Sequence, residues 1–493
     1  MTRKSIVIIG AGLGGLSAAI SLAAKGYQVT VCEKNSHAGG RLNILEKDGY
    51  SFDLGPSIII LPQLFRSLFS RAGKIMEDYV TFVPVEPQWR NFFEDGTQFD
   101  ICGDLTLMEK ALSELPGGSE GYFDFVEYSR RLYNFSREAY FEEGLENTLD
   151  IMKRHNPLAV WRGTDFPRTV QAGVNRFVKS PYLREVLGFF VKYVGSSSYA
   201  APAVLNLMLY SQLGWGLWYV KDGMYELARG LERLAWELGV EIRLNTEVTA
   251  VSTSASRVTT VSLADGTDLS PDLVVSNLEV IPAYRDLMGE DDQHLKTLKK
   301  FRPACSGLVV HLGVDTVYPS LAHHNFFYSE STKDHFATIF DREELPKDPT
   351  TYVVSPTVSN PALAPEGHSI IKILPHVPPI PEDGSVPDYD ALLERVLTKL
   401  ERMGLKDLRQ HIVTRDVLTP FDIQRLYRSN RGAIYGVVSD MHDNWGFKAP
   451  RHSTKYSNLY FTGGSVNPGP GTPMVTLCGQ LVADAIAKDW PTD

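Results

Sequence analysis

A chain of 493 residues is longer than one hydrophobic core organises, so more than one lobe is expected. A hydrophobic share of 43% with 22% charged residues is ordinary for a globular protein. The net charge of −10 argues against a nucleic-acid partner, which needs dense Lys/Arg to displace counterions, and against a polybasic lock onto anionic lipid.

In chain order, Arg3 and Lys4 precede an uncharged run from Ser5 to Ala24 with the outline of a secretory signal. Gly10, Gly12, Gly14 and Gly15 interrupt it where a turn belongs, so no cleaved signal is expected. Ser5–Ile9 instead reads as a buried parallel strand, Leu13–Lys25 as a helix closed by Gly26, and Gln28–Cys32 as a second strand ending at Glu33. The uncharged stretch Ala201–Val220 is broken by Pro202, Asn206, Gln212, Gly214 and Gly216 and is not expected to span a membrane. Tyr225–Leu238 has helical periodicity, with Leu227, Leu231, Leu234 and Leu238 on one face and Gly239 as its stop. Val240–Leu244, Val248–Val251, Arg257–Leu263 and Asp272–Ser276 read as strands, with turns at Ser252–Ser256 and Asp265–Gly266. His376–Asp388 is Pro-rich and reads as a surface loop. Leu459–Thr476 reads as a strand, a Gly/Pro loop and a helix start. The four cysteines, Cys32, Cys102, Cys305 and Cys478, form no CxxC pair and read as buried small hydrophobes.

Three pieces, 1–75, 215–290 and 415–493, share the αβ character of a nucleotide-binding domain. The insertions 76–214 and 291–414 are expected to form the substrate-binding, membrane-facing side. Gly10, Gly12 and Gly15 make a GxGxxG turn: the first allows the tight bend, the second lets backbone approach a pyrophosphate, and the third packs helix on strand. The helix start then offers N–H groups and a positive dipole end to phosphates. Glu33 is placed to accept ribose hydroxyls. Gly39, Gly40 and Arg41 follow in HAGGRLN, where close-passing backbone and a guanidinium suit a phosphate or a flavin, or else a plain surface turn. Adjacent His323 and His324 point to different sides of a strand and make a poor metal site; no metal centre is expected.

GxGxxG with GGR resembles the two-dinucleotide-binding-domain flavoproteins, which include amine oxidases and carotenoid desaturases. The resemblance implies a Rossmann-like α/β fold with a discontinuous FAD domain and an inserted substrate domain. It implies FAD held by Gly10, Gly12, Gly14, Gly15, Glu33, Lys34, Gly40 and Arg41, with the Val248 backbone at the adenine. Gly463, Gly464, Pro473, Met474 and Val475 then face the flavin, and Tyr50–Ile60 lies near its ring. Asp53 in that segment is either a site residue or a buried turn cap.

The match narrows in PQWRNFFEDGT, KYVGSSSYAAPAVL, LAHHNFFY, YRSNRGAIYGVV and SVNPGPGTPMV, which resemble the diapocarotenoid terminal oxidases, a branch of the carotenoid desaturase family. One departure is Pro470, where the branch has glycine. The resemblance implies oxidation of the terminal methyl of a linear thirty-carbon carotenoid to an aldehyde, by a peripheral enzyme on the cytoplasmic face of the membrane. Water and dioxygen both stand as oxygen sources. The aromatic insertions suit a tunnel along which a polyene stacks on Trp215, Trp218, Phe189 and Phe190. No catalytic acid or base stands out. Asn467, where many desaturases have His, favours the oxidase over a desaturase. The absence of an evident aromatic cage disfavours an amine oxidase. A flavin-stabilised carotenoid-binding protein without turnover is the remaining alternative. Oligomeric state stays open.

Overall fold

The computed structural model describes residues 3–142, 144–146, 150 and 156–492. Strand Ser5–Ile9 is the middle of a five-stranded parallel sheet ordered Leu459–Phe461, Leu273–Ser276, Ser5–Ile9, Gln28–Cys32, Glu241–Arg243. Ile6, Val7, Ile8 and Ile9 are all buried, as a parallel strand covered on both faces requires. The strands come from three distant parts of the chain, and the fold is the Rossmann-like α/β class expected from the sequence. Helix Leu13–Ala24 links the first two strands, and the final helix Thr472–Asp489 packs along it. Their axes come close because Gly479 has no side chain: a Cβ there would lie 2.5 Å from Ala18 N. Ser17 Oγ donates to Thr476 O across the same contact at 2.5 Å.

A second, mixed sheet runs Ile412–Leu418, Val309–Val314, Ser369–Val377, Thr351–Val354, His324–Phe327, Trp89–Phe92, Gln98–Ile101, with Ser306–Gly307 paired to Ser369–Val377. The alternation of side chains along its strands gives it two different faces. Val310, Leu312, Phe327, Val353, Ile371 and Ile373 pack on the helix Tyr389–Arg402 through Leu393, Val396 and Leu397. Trp89, Phe326, Tyr352 and Ile370 belong instead to the core shared with the parallel sheet. Helices Tyr122–Ser136, Val170–Phe177, Pro181–Phe189 and Leu207–Trp215 complete this side.

Some local boundaries differ from the sequence reading. The first helix ends at Ala24 with Lys25 as its cap. Strand Val248–Ser254 continues through most of the expected turn, because its Ser/Thr residues ride an exposed antiparallel ladder and Ala255 (φ 50°) makes the reversal. The Pro-rich loop is a larger correction. His376 and Val377 still belong to strand Ser369–Val377, and Pro378, Pro379 and Ile380 are buried. Ile380 N donates to Arg431 O at 2.8 Å, so only the later part of the segment reaches the surface. Prolines fit there because a buried chain lacking N–H groups has fewer donors to satisfy. Ala201–Val220 divides into a 3₁₀ turn, a short helix and strand Trp218–Val220. Among the described residues, no helix is long and apolar enough to cross a membrane.

Candidate functional site

The glycine turn is closed in the way its sequence requires. Gly10 has φ 93°, in the left-handed region that favours glycine, and a Cβ on Gly15 would stand 2.1 Å from Gly10 O. Helix Leu13–Ala24 begins at Gly12 with no side-chain cap, so its first N–H groups remain available to an anion. The final helix, Thr472–Asp489, likewise begins uncapped at Gly471, with Pro473 in its first turn and Met474 and Val475 partly buried beside it. Gly463 (φ 109°) and Gly464 lie between that helix and strand Leu459–Phe461.

One contributor was missed from sequence. Asn277 directly follows strand Leu273–Ser276, and its backbone N donates to Ile9 O at 2.9 Å. Its side chain lies under the cradle: a Cβ on Gly12 would be 2.6 Å from Asn277 Nδ2, and one on Gly14 2.7 Å from Asn277 Oδ1. A Cβ on Gly463 would stand 3.2 Å from the same oxygen. Both glycine loops therefore surround one amide, a tertiary juxtaposition with no local signal beyond its place at a strand end.

Glu33 is buried at the end of strand Gln28–Cys32. Its Oε2 accepts from Ala11 N at 2.8 Å, and Oε1 from Asn35 N and Nδ2 at 2.9 and 2.8 Å. It thus braces the glycine turn and retains acceptor capacity for a ribose, since each carboxylate oxygen takes more than one donor. Thr246 N donates to Glu33 O at 2.7 Å, which brings Lys34 and Val248 to the same end. Arg428 lies over them: it pairs with Glu247 at 2.5 Å, and its Nη1 is 3.4 Å from Val248 O. Lys34 Nζ donates to Arg425 O at 2.7 Å; burial, then Arg428, lowers its pKa.

Gly39 N donates to Ala11 O at 2.8 Å, and a Cβ on Gly40 would stand 3.0 Å from Gly12 Cα, so the GGR turn lies against the cradle. Arg41 is engaged elsewhere in the protein. It pairs with Glu279 at 2.8 Å and donates to Ile434 O and Ala433 O at 2.8 and 3.0 Å. Burial raises the Glu279 carboxyl while Arg41 opposes that rise. In this arrangement Arg41 clamps the loop around residue 434 rather than offering a free guanidinium.

Asp53 fills the buried-cap role. Its Oδ1 accepts from Met224 N at 2.9 Å and its Oδ2 from Tyr219 OH at 3.0 Å. Lys372 donates to Asp53 O at 2.8 Å, to Gly55 O and to Ser57 Oγ. Burial pulls the Lys372 ammonium down to about 8, against the pull of Asp53. His323 and His324 are both buried, with Nδ1 atoms bonded to Ser359 Oγ at 2.6 Å and Tyr352 OH at 2.8 Å. Burial pushes His323 down to about 3 and His324 well below the usual histidine range, so both are neutral.

The four proposed stacking residues do not form one row. Phe190 stacks on Trp89 at 4.1 Å, and Phe189 meets the edge of Phe326 at 5.8 Å. Trp215 is 40% exposed, its Nε1 bonds Tyr133 OH at 2.9 Å, and Trp218 Nε1 bonds Trp215 O at 2.7 Å. An aromatic cage does exist, contrary to the sequence reading. Trp89, Tyr193, Phe326 and Tyr352 surround the Lys192 Nζ, with ring centroids 3.9–5.1 Å away, so the protein's own amine fills it. Asn467 is buried and structural: it accepts from Lys448 N at 3.0 Å and donates to Glu146 O and Lys448 O at 3.2 and 3.3 Å. Pro470 packs over Gly464, whose Cβ would lie 3.6 Å from it.

Comparison with known proteins shows the family and the fold. The flavin-containing amine oxidoreductase family matches residues 13–487. A 4,4'-diapolycopene oxygenase of Methylomonas sp is 53% identical over 490 residues, covering 99% of both chains. A 4,4'-diaponeurosporene oxygenase of Staphylococcus haemolyticus is 48% identical over 489 residues, covering 99% of this chain and 97% of that one. Among solved structures, an oxidoreductase from Methanosarcina mazei superposes with a TM-score of 0.66 at 17% identity, over 97% of this chain and 100% of the other. A putrescine oxidase gives 0.66 at 16% identity over 99% of each chain. The chain belongs to the flavin-containing amine oxidoreductase family, in the branch that holds the 4,4'-diapolycopene and 4,4'-diaponeurosporene oxygenases.

Proposed function

We propose that the protein uses FAD to oxidise the terminal methyl group of a linear thirty-carbon carotenoid to an aldehyde. The observation that carries this reading is the 53% identity to a diapolycopene oxygenase along nearly the whole of both chains, insertions included. The cradle fits the cofactor: Gly12, Gly14 and Gly15, where a Cβ would come within 2.7 Å of a neighbouring atom, two uncapped helix starts and a buried Glu33 with spare acceptor capacity. The residues proposed to hold it are Gly10, Gly12, Gly14, Gly15, Glu33, Lys34, Gly40, Val248, Gly464, Pro473, Met474 and Val475, with Arg41 holding the adjoining loop.

FAD, when bound, supplies a two-electron acceptor. The rest of the chemistry falls to the chain. The aromatic inner face of the second sheet, with Trp89, Phe326 and Tyr352, is packed around the Lys192 amine and excludes water from the core. Neutral His323 and His324 place no imidazolium charge in this interior, which favours a polyene that becomes electron-poor on losing hydride. Positioning of the methyl group at the flavin supplies the main rate advantage.

The substrate resides in lipid, and we place the enzyme as a peripheral protein on the cytoplasmic face of the membrane. Leu158 and Trp161 on helix Pro157–Gly163 are exposed, as are Phe166 and Trp445, whose rings meet at 5.9 Å; such surface supports docking on lipid. The test is mass spectrometry of the product from FAD-loaded protein and a linear diapocarotenoid under heavy oxygen gas, with prompt reduction of aldehyde. Gain of one oxygen and loss of two hydrogens at the chain end in an unreduced aliquot supports the reading, and the label kept in the reduced aliquot, as an alcohol, separates dioxygen from water. Loss of hydrogen alone makes the protein a desaturase.

A further inference from the structure

Lys192 sits on the turn Phe190–Val194, buried, and among the described residues its amine has no hydrogen-bond or ion-pair partner. Its surroundings are ring faces: Nζ is 3.9 Å from the Tyr352 centroid, 4.5 Å from Phe326, 5.0 Å from Tyr193 and 5.1 Å from Trp89. Tyr352 and Phe326 are themselves stacked, 4.8 Å apart, as neighbours across two strands. His324 lies two residues before Phe326 on the same face. Its Nδ1 is bonded to Tyr352 OH, and its Nε2 is buried without a partner. Tyr352 links the two groups: its ring lies under the Lys192 amine and its OH is bonded to His324 Nδ1. Burial holds the Lys192 amine well below the usual lysine range.

The turn that carries Lys192 leads through Tyr435 toward the candidate flavin loop. Gly195, just after the turn, is pressed on Tyr435, where a Cβ would come within 2.5 Å of the ring. A Cβ on the next residue, Gly436, would stand 2.5 Å from Gly464 O. The terminal-oxidation reading gives the chain no use for an amine among rings unless a ligand completes it. Buried donors and acceptors are ordinarily satisfied, and an apolar side chain would fill the same space at no polar cost. A partner that suits these surroundings carries an acceptor oxygen on something flat and apolar. A methyl end offers no such group. A primary alcohol or an aldehyde at the end of a conjugated chain does.

Resting on that reading, we propose that Lys192, with His324, holds the oxygenated end of the polyene, so that the alcohol formed first is retained for the second oxidation. An aldehyde oxygen accepts from the Lys192 amine; an alcohol also donates to His324 Nε2. Lys192 is then a specificity-determining residue for the second step and has little effect on binding of the hydrocarbon.

The test compares a linear thirty-carbon polyene aldehyde with its parent hydrocarbon, each titrated into FAD-loaded wild type and Lys192→Met by tryptophan quenching. The wild type is expected to prefer the aldehyde by about tenfold, the scale of one buried hydrogen bond. Lys192→Met loses that preference with hydrocarbon affinity unchanged, and its product shifts from aldehyde toward alcohol. Lys192→Gln, which keeps a donor, restores part of the preference. Equal wild-type affinity for the two polyenes overturns the proposal, as does an undiminished preference in Lys192→Met; the first needs no variant to fold. A borohydride-trapped adduct on Lys192 also overturns it, because the contact is then an imine. Wild type that prefers the aldehyde through Lys192 yet oxidises neither polyene sinks the functional reading, and with it the retention role, while the contact to the oxygenated end stands.

Discussion

At the scale of single residues, the cradle separates glycines whose Cβ would strike backbone from those whose Cβ would strike a side chain. Gly15→Ala places a methyl 2.1 Å from Gly10 O, which cannot yield without opening the turn, so that variant is expected to fail to fold. Gly12→Ala meets Asn277 Nδ2, a terminal amide that can rotate away. The fold should survive while the pyrophosphate is held off, and flavin affinity should fall about 10- to 100-fold, or about 1.4–2.7 kcal/mol. Flavin absorbance per protein, read beside an unchanged circular dichroism spectrum, checks this; full flavin content in Gly12→Ala would remove the cradle from the binding site. Arg41 gives a second residue-scale test. Because its guanidinium holds Glu279 and two carbonyls, Arg41→Ala should destabilise flavin-free protein by about 1–3 kcal/mol. A loss of stability seen only with flavin bound would instead return Arg41 to the phosphate.

At the scale of elements, the contact that joins the two ends of the chain is the pair of helices Leu13–Ala24 and Thr472–Asp489. Gly479→Ala pushes a methyl to 2.5 Å from Ala18 N and 2.6 Å from Gly14 O, both backbone atoms. A cost of about 1–3 kcal/mol follows from overpacking at a close helix crossing. Thermal melts should show it, and flavin retention should weaken as well, since both helices start at the cradle; a melt unchanged from wild type would mean that the crossing is looser than described. Most of these elements were legible in sequence, because Ser5–Ile9, Leu13–Ala24 and Gln28–Cys32 are specified by runs, turns and caps within a few residues. The Pro-rich segment after Val377 was misread, because proline marks the end of a ladder whether or not the chain then stays buried. The cage around Lys192 was invisible, since its rings come from four separate elements.

At the scale of the molecule, folding buries His311, His323, His324, His335 and His376, each with its pKa lowered from 6.5 chiefly by burial. The unfolded chain takes up these protons as pH falls through 6.5, and the native state does not. Stability from neutral histidines is therefore present above about 6.5 and is lost as pH falls below it. Asp440, raised to about 6 by burial, acts in the opposite sense below that pH and offsets one of the five. The melting temperature of the FAD-loaded enzyme should thus drop steadily below pH 6.5, and His335→Asn should flatten the drop by close to one proton. A melting temperature level from pH 7 to 5 would contradict the buried, neutral assignment. The exposed apolar surface gives a second whole-molecule test. Trp161→Ser/Phe166→Ser/Trp445→Ser should release the protein from phospholipid vesicles in flotation while flavin content stays full; undiminished flotation would move the docking surface elsewhere.

The sequence by itself determined the α/β class, the GxGxxG turn with its carboxylate, the chain-end Gly/Pro loop and the resemblance to one oxidase branch. Each is written in local spacing or in whole phrases of sequence. Only the tertiary structure decided partnership. Asn277 meets both glycine loops because strand Leu273–Ser276 lies between Ser5–Ile9 and Leu459–Phe461. Asp53 finds Tyr219, Arg41 finds Glu279, and Lys192 finds four rings and, among the described residues, no counter-ion. Local propensity fixes where a strand begins and ends, but the side chains that meet across the core depend on strand order and register between segments far apart in the chain, which no short window of sequence contains.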